Sequence, residues 1–345
     1  MSEERIVVIG ASAGGVDALM QLAGSLPADF PAPVCVVLHV PADSPSLLAD
    51  ILSRKGPLPA HSARHGDLVM AGNIYVAPPD RHLVIGRGGL LHVNRGPREN
   101  RHRPAVDPLF RSAALTYGHR AIGVVLSGTL DDGTAGMIVL KQAGGLAIVQ
   151  DPRTALYPGM PQSVVDHLTV DYAVPIGELG MLLTRLVDEK PPQPATKLTS
   201  RDLELETRMA ELDAGALADD DRPGEPSPYS CPECGGVLRE VRDGEYARYR
   251  CRVGHAYSPE TMLSAQEDLL EEALWSAVKT LEESARLSAR LAAAERARGH
   301  EWLSKRFEQK ETDARAQVEV IRRHLLRRED ATVPVAADSR AARPS

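Results

Sequence analysis

The chain has 345 residues, of which 43% are hydrophobic and 25% charged, and its formal net charge is −7. This length allows more than one domain with a substantial core, and the composition is typical of a globular protein. No apolar run approaches the ~20 residues that a membrane-spanning helix needs, and no domain is basic enough to suggest nucleic-acid binding. Since the first residues also lack a signal-peptide pattern, the sequence predicts a cytoplasmic protein without membrane insertion or a nucleic-acid partner.

Short apolar runs alternate with amphipathic segments throughout residues 1–188. Because the runs contain few polar residues, they favour parallel strands whose two faces are both covered by helices. We predict strands at Ile6–Ile9, Cys35–Val40, Ala121–Ser127, Leu146–Val149 and Tyr172–Val174, and helices at 15–26, 45–54, 105–117, 133–143, 161–168 and 176–188. The sequence therefore predicts an α/β fold built on a doubly wound, mostly parallel sheet.

The segment between residues 57 and 95 departs from this alternation. Ile74–Val76, His82–Ile85 and Leu90–Val93 are typical of short strands, and Gly86–Gly89 is typical of a hairpin turn. We predict that these strands form an antiparallel hairpin appendage to the main sheet.

A run of small residues, Gly10-Ala11-Ser12-Ala13-Gly14-Gly15, joins the first strand to the first helix. One interpretation is a nucleotide-binding loop, although the run lacks the G-x-G-x-x-G and GK[ST] patterns. A second is a tight turn of small residues with no further role. In the third, residues 10–14 match G-x-S-x-G, which exposes a nucleophilic serine above a sheet, beside helix amides that can receive negative charge.

Polar side chains also follow two other predicted strands. His39 comes at the end of the second strand, and Asp131 and Asp132 follow the strand at 121–127. Because the carboxyl ends of parallel strands share one edge, we expect Ser12, His39 and Asp132 to meet there as nucleophile, base and orienting acid. Taken singly, His39 is typical of a loop, and Asp132 of a turn or a helix cap.

A different triad would follow the usual chain order of α/β hydrolases, with Ser12, Asp132 and His167. His167, however, falls late in a predicted helix, and only 11 residues precede Ser12. We therefore favour Ser12, His39 and Asp132.

Residues 5 to about 188 resemble the catalytic domain of the chemotaxis protein-glutamate methylesterases, the CheB family. The motifs that carry the resemblance are residues 10–15, 39–41, 75–82, 102–107, 126–128, 131–137 and 159–161. The resemblance implies a serine esterase that hydrolyses γ-glutamyl methyl esters on chemoreceptor helices and also deamidates receptor glutamines. By motif, it implies Ser12 as nucleophile, His39 as general base and Asp132, rather than Asp131, as the orienting carboxylate, with no cofactor for the chemistry.

Such a mechanism needs donors for the oxyanion, and the backbone amides of Ala13 and Thr129 are the candidates. CheB proteins usually carry a receiver domain before the catalytic domain, whereas this chain begins at the first catalytic strand. We therefore expect a separate response regulator as one partner, and a methylated chemoreceptor or a similar helical signalling protein as the substrate.

Cys231, Cys234, Cys251 and His255 have the spacing C-x2-C-x16-C-x3-H. Two strand-like segments between the halves flank Asp243-Gly244, a strong hairpin turn signal. This arrangement predicts a zinc-ribbon-like module, in which four protein ligands leave no position for water and the zinc is structural. Reduced thiols in a small core, and a redox pair formed by Cys231 and Cys234, are the alternatives.

The C-terminal region has two amphipathic segments separated by Gly299. Ser258-Pro259 is typical of a helix N-terminus. The apolar stripes are Leu270, Leu274, Ala277 and Leu281 in the first segment, and Ala314, Val318, Ile321 and Leu325 in the second. They predict a helical hairpin, with Trp275 in its core, that docks on the zinc module or on another subunit and thereby allows a homo-oligomer.

The predicted domains are a catalytic domain at 1–188, an acidic, proline-rich linker at 189–229, a zinc-ribbon-like module at 230–257, a helical hairpin at 258–329 and a disordered tail at 330–345. The function that this organisation favours is that of a serine methylesterase. The alternative is a regulatory or scaffold protein without catalysis, which keeps the fold and uses the zinc and helical modules to bind a partner.

Overall fold

The computed structural model describes residues 4–191, 201–213, 215–216 and 222–332. The chain divides into two compact units, residues 1–263 and 264–345. Within the described residues, no helix is both long enough and apolar enough to cross a membrane.

A parallel sheet forms the centre of the first unit, with the strand order β3-β4-β2-β1-β7-β8-β9. Its strands are β1 Ile6–Ala11, β2 Val34–Leu38, β3 Ala60–Ser62, β4 Ile74–Val76, β7 Ala121–Val125, β8 Leu146–Gln150 and β9 Tyr172–Val174. The helices around it are α1 Gly15–Ser25, α2 Leu48–Lys55, α3 Val106–Tyr117, α4 Thr134–Gln142, α5 Gly159–His167 and α6 Ile176–Asp188. The predicted doubly wound α/β fold is confirmed.

Strand β1 explains why the sheet is buried on both sides. Its side chains alternate between the two faces, so that Ile6 and Val8 join one apolar cluster while Val7 and Ile9 join the other. The first cluster includes residues of α3, α4 and α5, and the second includes residues of α1, α2 and α6. A strand with two buried faces needs an unbroken apolar run, which is what β1 has.

The order in which successive strands add to the sheet reverses at β1. Strand β2 pairs with one edge of β1, and β7 pairs with the other edge, both in parallel register. Helix α1, which follows β1, and helix α4, which follows β7, therefore lie on opposite faces, and a crevice opens beyond the carboxyl ends of these two strands. Ser12 follows β1 directly, so it lies at this crevice.

The antiparallel appendage is smaller than predicted. Strands β5 His82–Ile85 and β6 Leu91–Asn94 form a separate two-stranded antiparallel sheet, as expected. The predicted inclusion of Ile74–Val76 is wrong, because this strand pairs in parallel with β2 of the main sheet. On its other side it pairs with β3, a strand that the sequence analysis did not predict.

The described residues between 201 and 263 pack onto the α/β fold around the parallel sheet. Helix α7, Arg201–Ala210, buries Leu203 in the apolar cluster that includes α3. A four-stranded antiparallel sheet follows, with β10 Glu225–Ser230, β11 Val237–Asp243, β12 Tyr246–Cys251 and β13 Ala256–Tyr257. The described parts of the predicted 189–229 linker thus contain a helix and an edge strand, while Asp219–Asp221 lie outside the described residues.

A buried ionic cluster joins this antiparallel sheet to α7 and to α3. Glu206 of α7 accepts hydrogen bonds from Arg248 and Arg250 of β12, at 2.9–3.1 Å. Arg250 also binds Glu99 at 2.8 Å, and Glu99 in turn binds Arg111 of α3 at 2.5 Å. Burial would raise the pKa of Glu99, but the charges of Arg111 and Arg250 outweigh it and lower the pKa to about 2. The cluster is therefore fully ionised at neutral pH.

We expect Glu206→Ala to lower the free energy of unfolding of the first unit by about 3–5 kcal/mol, because two buried guanidinium groups lose a shared partner. Glu204→Ala is the matched control, since Glu204 lies on the same helix but is exposed, and it should change stability by less than about 0.5 kcal/mol. Urea denaturation of the full chain measures both. Equal free energies of unfolding for the two variants would contradict the proposed contribution of the ionic cluster to stability.

The second unit contains the helical hairpin. Helix α8, Pro259–Ala297, begins in the first unit, and α9 spans Glu301–Thr332. Val278 packs against Val318 and Leu325, with Leu274, Leu281 and Ile321 around them. The prediction of a buried Trp275 is wrong, since this side chain is 47% exposed. Helix α9 extends beyond the predicted end at 329, and residues 333–345 of the predicted tail lie outside the described residues.

Candidate active site and candidate metal site

Ser12 lies at the first position after β1, between the ends of two neighbouring strands. Its backbone amide donates to the carbonyl of Ser127, which follows β7, at 3.0 Å. On the other side, the His39 amide donates to the Ala11 carbonyl at 3.1 Å, which continues the register of β1 with β2. Ser12 and His39 are therefore neighbours at the carboxyl edge of the sheet.

Gly128 supplies the space for this arrangement. A Cβ atom at residue 128 would lie 2.9 Å from Cβ of Ser12 and 2.1 Å from the sulfur of Met160, so a larger residue would displace both. Gly14, two residues after Ser12, has φ of +72°, which a glycine adopts without strain. These two small residues allow the serine turn to pass close to the loop after β7.

His39 and Asp132 form a buried pair. Nε2 of His39 lies 2.7 Å from Oδ2 of Asp132, and the two side chains are 4% and 2% exposed. Nδ1 of His39 is also buried and has no hydrogen-bond partner among the described residues. Since the carboxylate fixes the proton on Nε2, Nδ1 is left as the acceptor nitrogen. No hydrogen bond between the Ser12 hydroxyl and His39 is formed in the described part of the chain.

Asp132 is held by donors from three other residues. The amides of Val106 and Asp107, at the start of α3, donate to its two oxygens at 2.7 and 3.2 Å, and the Asn100 side chain donates at 2.9 Å. Burial alone would raise its pKa, but the hydrogen bond and charge of His39 and the helix amides together lower it. Asp132 is therefore a carboxylate at neutral pH and can stabilise a charged imidazole.

Three further side chains lie around this pair, and the sequence alone did not indicate a function for them. The His102 ring stacks on His39 with 3.7 Å between ring centroids, and burial followed by the nearby His39 lowers its pKa to about 4. Asn100 donates to Asp107 as well as to Asp132, at 2.8 and 2.9 Å. Burial and the Asp132 charge raise the pKa of Asp107. Because the pKa of His102 is about 4, this ring is neutral near pH 7 and avoids charge repulsion with a protonated His39.

The predicted oxyanion donors lie beside the serine. Ala13 follows Ser12, and Thr129 follows Gly128, where an added Cβ atom would lie 2.9 Å from Cβ of Ser12. Neither amide donates a hydrogen bond to another described residue, so both donors remain available to a substrate oxygen. The carbonyl of Ala13 is fixed by the Ser127 hydroxyl at 2.8 Å, which holds the turn in place.

His167, the histidine of the alternative triad, lies elsewhere. It ends helix α5, and its Nδ1 contacts the carbonyl of Ser163, one turn earlier, at 2.8 Å. Its ring packs edge-on against Tyr246. His167 contributes to the packing of the antiparallel sheet and does not pair with Asp132.

Cys231, Cys234, Cys251 and His255 converge on one point. Their ligand atoms all lie within 4.8 Å of one another. The Cys234 and Cys251 sulfurs are 3.7 Å apart, and Nδ1 of His255 lies 3.6 Å from the Cys251 sulfur and 3.7 Å from that of Cys231. Tetrahedral zinc, with its usual bond lengths, separates two sulfurs by about 3.8 Å and a sulfur from a nitrogen by about 3.6 Å. The cluster can therefore bind a metal ion of this size and geometry.

The surroundings of His255 also suit a metal ligand. Its second ring nitrogen, Nε2, lies 3.2 Å from a Glu233 carboxylate oxygen, which orients the ring with Nδ1 towards the sulfurs. Tyr257 donates from its hydroxyl to the other oxygen of Glu233 at 3.2 Å. The amide of Cys231 donates to Gly236 and that of Cys251 to His255, so both ligand turns are closed by backbone hydrogen bonds.

Comparison with known proteins assigns the catalytic fold. The sequence-family model for CheB methylesterase matches residues 7–183 of the chain. The chain belongs to the CheB methylesterase family. The matched segment contains Ser12, His39 and Asp132, and it ends before α7 and the Cys–His cluster.

Relatives agree with this assignment. A protein-glutamate methylesterase/protein-glutamine glutaminase of Anaeromyxobacter dehalogenans is 42% identical over 52% of this chain and 53% of its own length. A putative enzyme of the same name from Leptospira interrogans is 37% identical, with 93% of its length covered. The crystal structure of the Thermotoga maritima CheB methylesterase catalytic domain is 36% identical, covers 54% of this chain and 100% of its own, and has a TM-score of 0.52. The chain spans about half the length of the first curated relatives it matches.

Proposed function

We propose that this CheB-family chain is a serine esterase that hydrolyses glutamyl methyl esters of proteins, with Ser12 as nucleophile, His39 as base and Asp132 as orienting acid. The observation that carries the proposal is the buried His39–Asp132 pair, 2.7 Å apart, whose free Nδ1 lies at the same sheet edge as Ser12. A structural histidine of this kind would normally have both nitrogens satisfied or exposed. The unsatisfied Nδ1 is therefore free to accept a proton from a nucleophile.

The chemistry follows from these positions. Nδ1 of His39 takes the Ser12 proton as the hydroxyl oxygen attacks the ester carbonyl, and the imidazolium is stabilised by Asp132. The amides of Ala13 and Thr129 receive the oxyanion of the tetrahedral intermediate. His39 then gives its proton to the leaving methoxide, methanol departs, and a glutamyl ester on Ser12 remains. Water, activated by the same base, releases the glutamate carboxylate and restores Ser12.

The relatives' names suggest two substrates for one site. A glutamine side chain would form the same glutamyl ester on Ser12, with ammonia leaving instead of methanol. We therefore propose glutamine deamidation as the second activity. Methylated chemoreceptors, or similar helical signalling proteins, are the proposed substrates, and a separate response regulator is the proposed controlling partner.

Methanol release distinguishes the esterase from a scaffold protein. We expect the purified full chain to release methanol from a methylated chemoreceptor signalling domain and to leave one new carboxylate for each methanol formed. A scaffold without catalysis would bind the receptor and leave its methyl esters intact. Complete absence of methanol at saturating receptor would therefore exclude the proposed activity.

We also propose that Cys231, Cys234, Cys251 and His255 hold a structural zinc ion. Four protein ligands complete a tetrahedral shell, so the ion would have no open position for catalysis. No metal and no organic cofactor takes part in the bond-making and bond-breaking steps of the proposed esterase reaction.

We expect about one zinc ion per chain in the protein purified without chelators, measured by elemental analysis. The Cys251→Ser variant should lose the zinc and expose the antiparallel sheet to limited proteolysis, because the sheet closes around the ligands. Cys35→Ser is the matched control, since Cys35 is buried in β2 of the main sheet, and this variant should keep the zinc. A metal-free wild-type chain with the same protease resistance as a zinc-loaded one would contradict the prediction.

A further inference from the structure

The loop at residues 98–102 connects the proposed active site to the proposed metal site. Asn100 of this loop is 4% exposed, and its side-chain nitrogen donates to both Asp132 and Asp107. It has φ of +50°, a conformation that asparagine tolerates better than most residues. His102, two residues later, stacks on His39. One loop therefore touches both the base and the acid.

The metal-ligand segment holds this loop from the other side. Ala256, directly after His255, accepts a hydrogen bond from the Asn100 amide at 2.8 Å and donates its own amide to the Arg98 carbonyl at 3.2 Å. The Asn100 side-chain oxygen accepts from the Ser258 amide at 3.0 Å and from the Thr261 hydroxyl at 3.3 Å. Both the backbone and the side chain of Asn100 are thus anchored in residues 256–261.

A second set of contacts reaches the residue next to the proposed catalytic acid. Tyr246 donates from its hydroxyl to one oxygen of Asp131 at 2.9 Å, and Ser258 donates to the other at 2.8 Å. Tyr246 is 7% exposed and packs on Ala135 and Ile138 of α4. The antiparallel sheet therefore fixes the loop after β7 in addition to the loop at 98–102.

These contacts come from outside the family match, which ends at residue 183. We propose that the metal-bound Cys–His module positions the active-site acid and base through Asn100, so that metal occupancy controls the catalytic rate of this chain. Asn100 acts as a positioning residue and does not touch the substrate. The inference rests on the proposed esterase function and adds that the metal site is part of what makes the esterase competent.

The physical reason is the short covalent path from ligand to loop. Metal binding to His255 fixes the backbone at that residue. Ala256, which pairs with Asn100, is the next residue in the chain. When the ion leaves, the three thiol ligands and the histidine lose their common centre, and the pairing with Asn100 is no longer fixed. A misplacement of a reacting group by about 1 Å costs on the order of 10²-fold in rate.

The test compares zinc-loaded, chelator-stripped and zinc-restored samples of the full chain. Stripping should lower kcat for methanol release by about 10²-fold with little change in KM, and added zinc should restore it. Hydrogen exchange at the Asn100 amide is the readout independent of activity, and it should accelerate at least roughly tenfold on stripping. Unchanged kcat in the stripped chain would overturn the proposal, whether or not the exchange rate rises.

Variants test the same path without a chelator. Asn100→Ala should lower kcat by a similar factor while the chain keeps its zinc. If that variant does not fold, Tyr246→Phe takes its place, because it removes only the hydroxyl that binds Asp131. Tyr249→Phe is the matched control, since Tyr249 lies on the other face of β12 and packs against Tyr229, and it should keep the wild-type kcat. Wild-type kcat in a folded Asn100→Ala chain would overturn the proposal, and where that variant does not fold, wild-type kcat in Tyr246→Phe would overturn it.

The outcomes separate this inference from the proposed function. A zinc-loaded wild-type chain that releases no methanol refutes the esterase itself and the inference with it. A chain that is active, and remains fully active without its metal, refutes only the inference.

Discussion

Ser12→Ala should lower kcat for methanol release by about 10⁶-fold, the scale on which a serine hydrolase loses activity with its nucleophile. Without the hydroxyl, no acyl-enzyme can form, and His39 can only assist a direct attack by water. KM should change little, because alanine removes one atom from a half-buried position between two strand ends. The measurement is methanol formation from methylated receptor, with turnover followed long enough to quantify the residual rate.

Ser25→Ala is the matched control for this variant. Ser25 lies at the opposite end of α1, about 15 Å along the helix from its first residue, and its hydroxyl donates to the Leu22 carbonyl. It should keep wild-type kcat. A Ser12→Ala protein that retains more than about one-hundredth of the wild-type rate would exclude Ser12 as the nucleophile.

The sequence was a good guide to the main sheet because the physical signal is local there. A strand buried on both faces must be apolar throughout, and β1, β2 and β7 can be recognised from that alone. The sheet to which Ile74–Val76 belongs was predicted wrongly, because pairing with β2 depends on tertiary contact and not on the strand's own residues. Strand β3 contains His61 and Ser62 and is only three residues long, so it gave no periodic signal.

The described parts of the predicted linker show a similar limit. Strand β10 contains Pro226 and Pro228, which cannot donate to a sheet and suggest an irregular segment. It nevertheless pairs along one side with β11, because it is the edge strand and its other side needs no partner. The composition of this segment predicted a solvated region, but it forms a strand because it pairs with β11.

The residues around the candidate site also differ in whether a local sequence signal indicates their position. Ser12, His39 and Asp132 each directly follow or lie just beyond a strand, so topology alone suggests that they meet. Asn100 follows no strand of the main sheet, and its contacts reach residues 107, 132, 256, 258 and 261. No pattern in the chain signals such a set of long-range contacts, so the link between the two sites was visible only in the structure.

Asp132→Asn should lower kcat by about 10⁴-fold, as removal of the triad carboxylate does in a serine protease. The amide keeps the shape of the side chain but removes the charge that stabilises the His39 imidazolium. It also turns an NH2 group towards donors, because the oxygens of Asp132 accept from His39, Asn100 and the amides at the start of α3. One amide oxygen cannot accept all of these hydrogen bonds, so part of the loss is expected as misalignment of His39.

Asp131→Asn is the informative comparison, since the two carboxylates are adjacent in the chain. Burial raises the pKa of Asp131 to about 6, and its two partners are hydroxyl groups, which can rotate to suit an amide. The loss of kcat should therefore be far smaller than for Asp132→Asn. Rates of methanol release at saturating receptor, with urea midpoints to check folding, decide between the two positions. If Asp131→Asn were the more damaging change in a folded chain, the orienting carboxylate would be Asp131, and the proposed mechanism would be wrong at that residue.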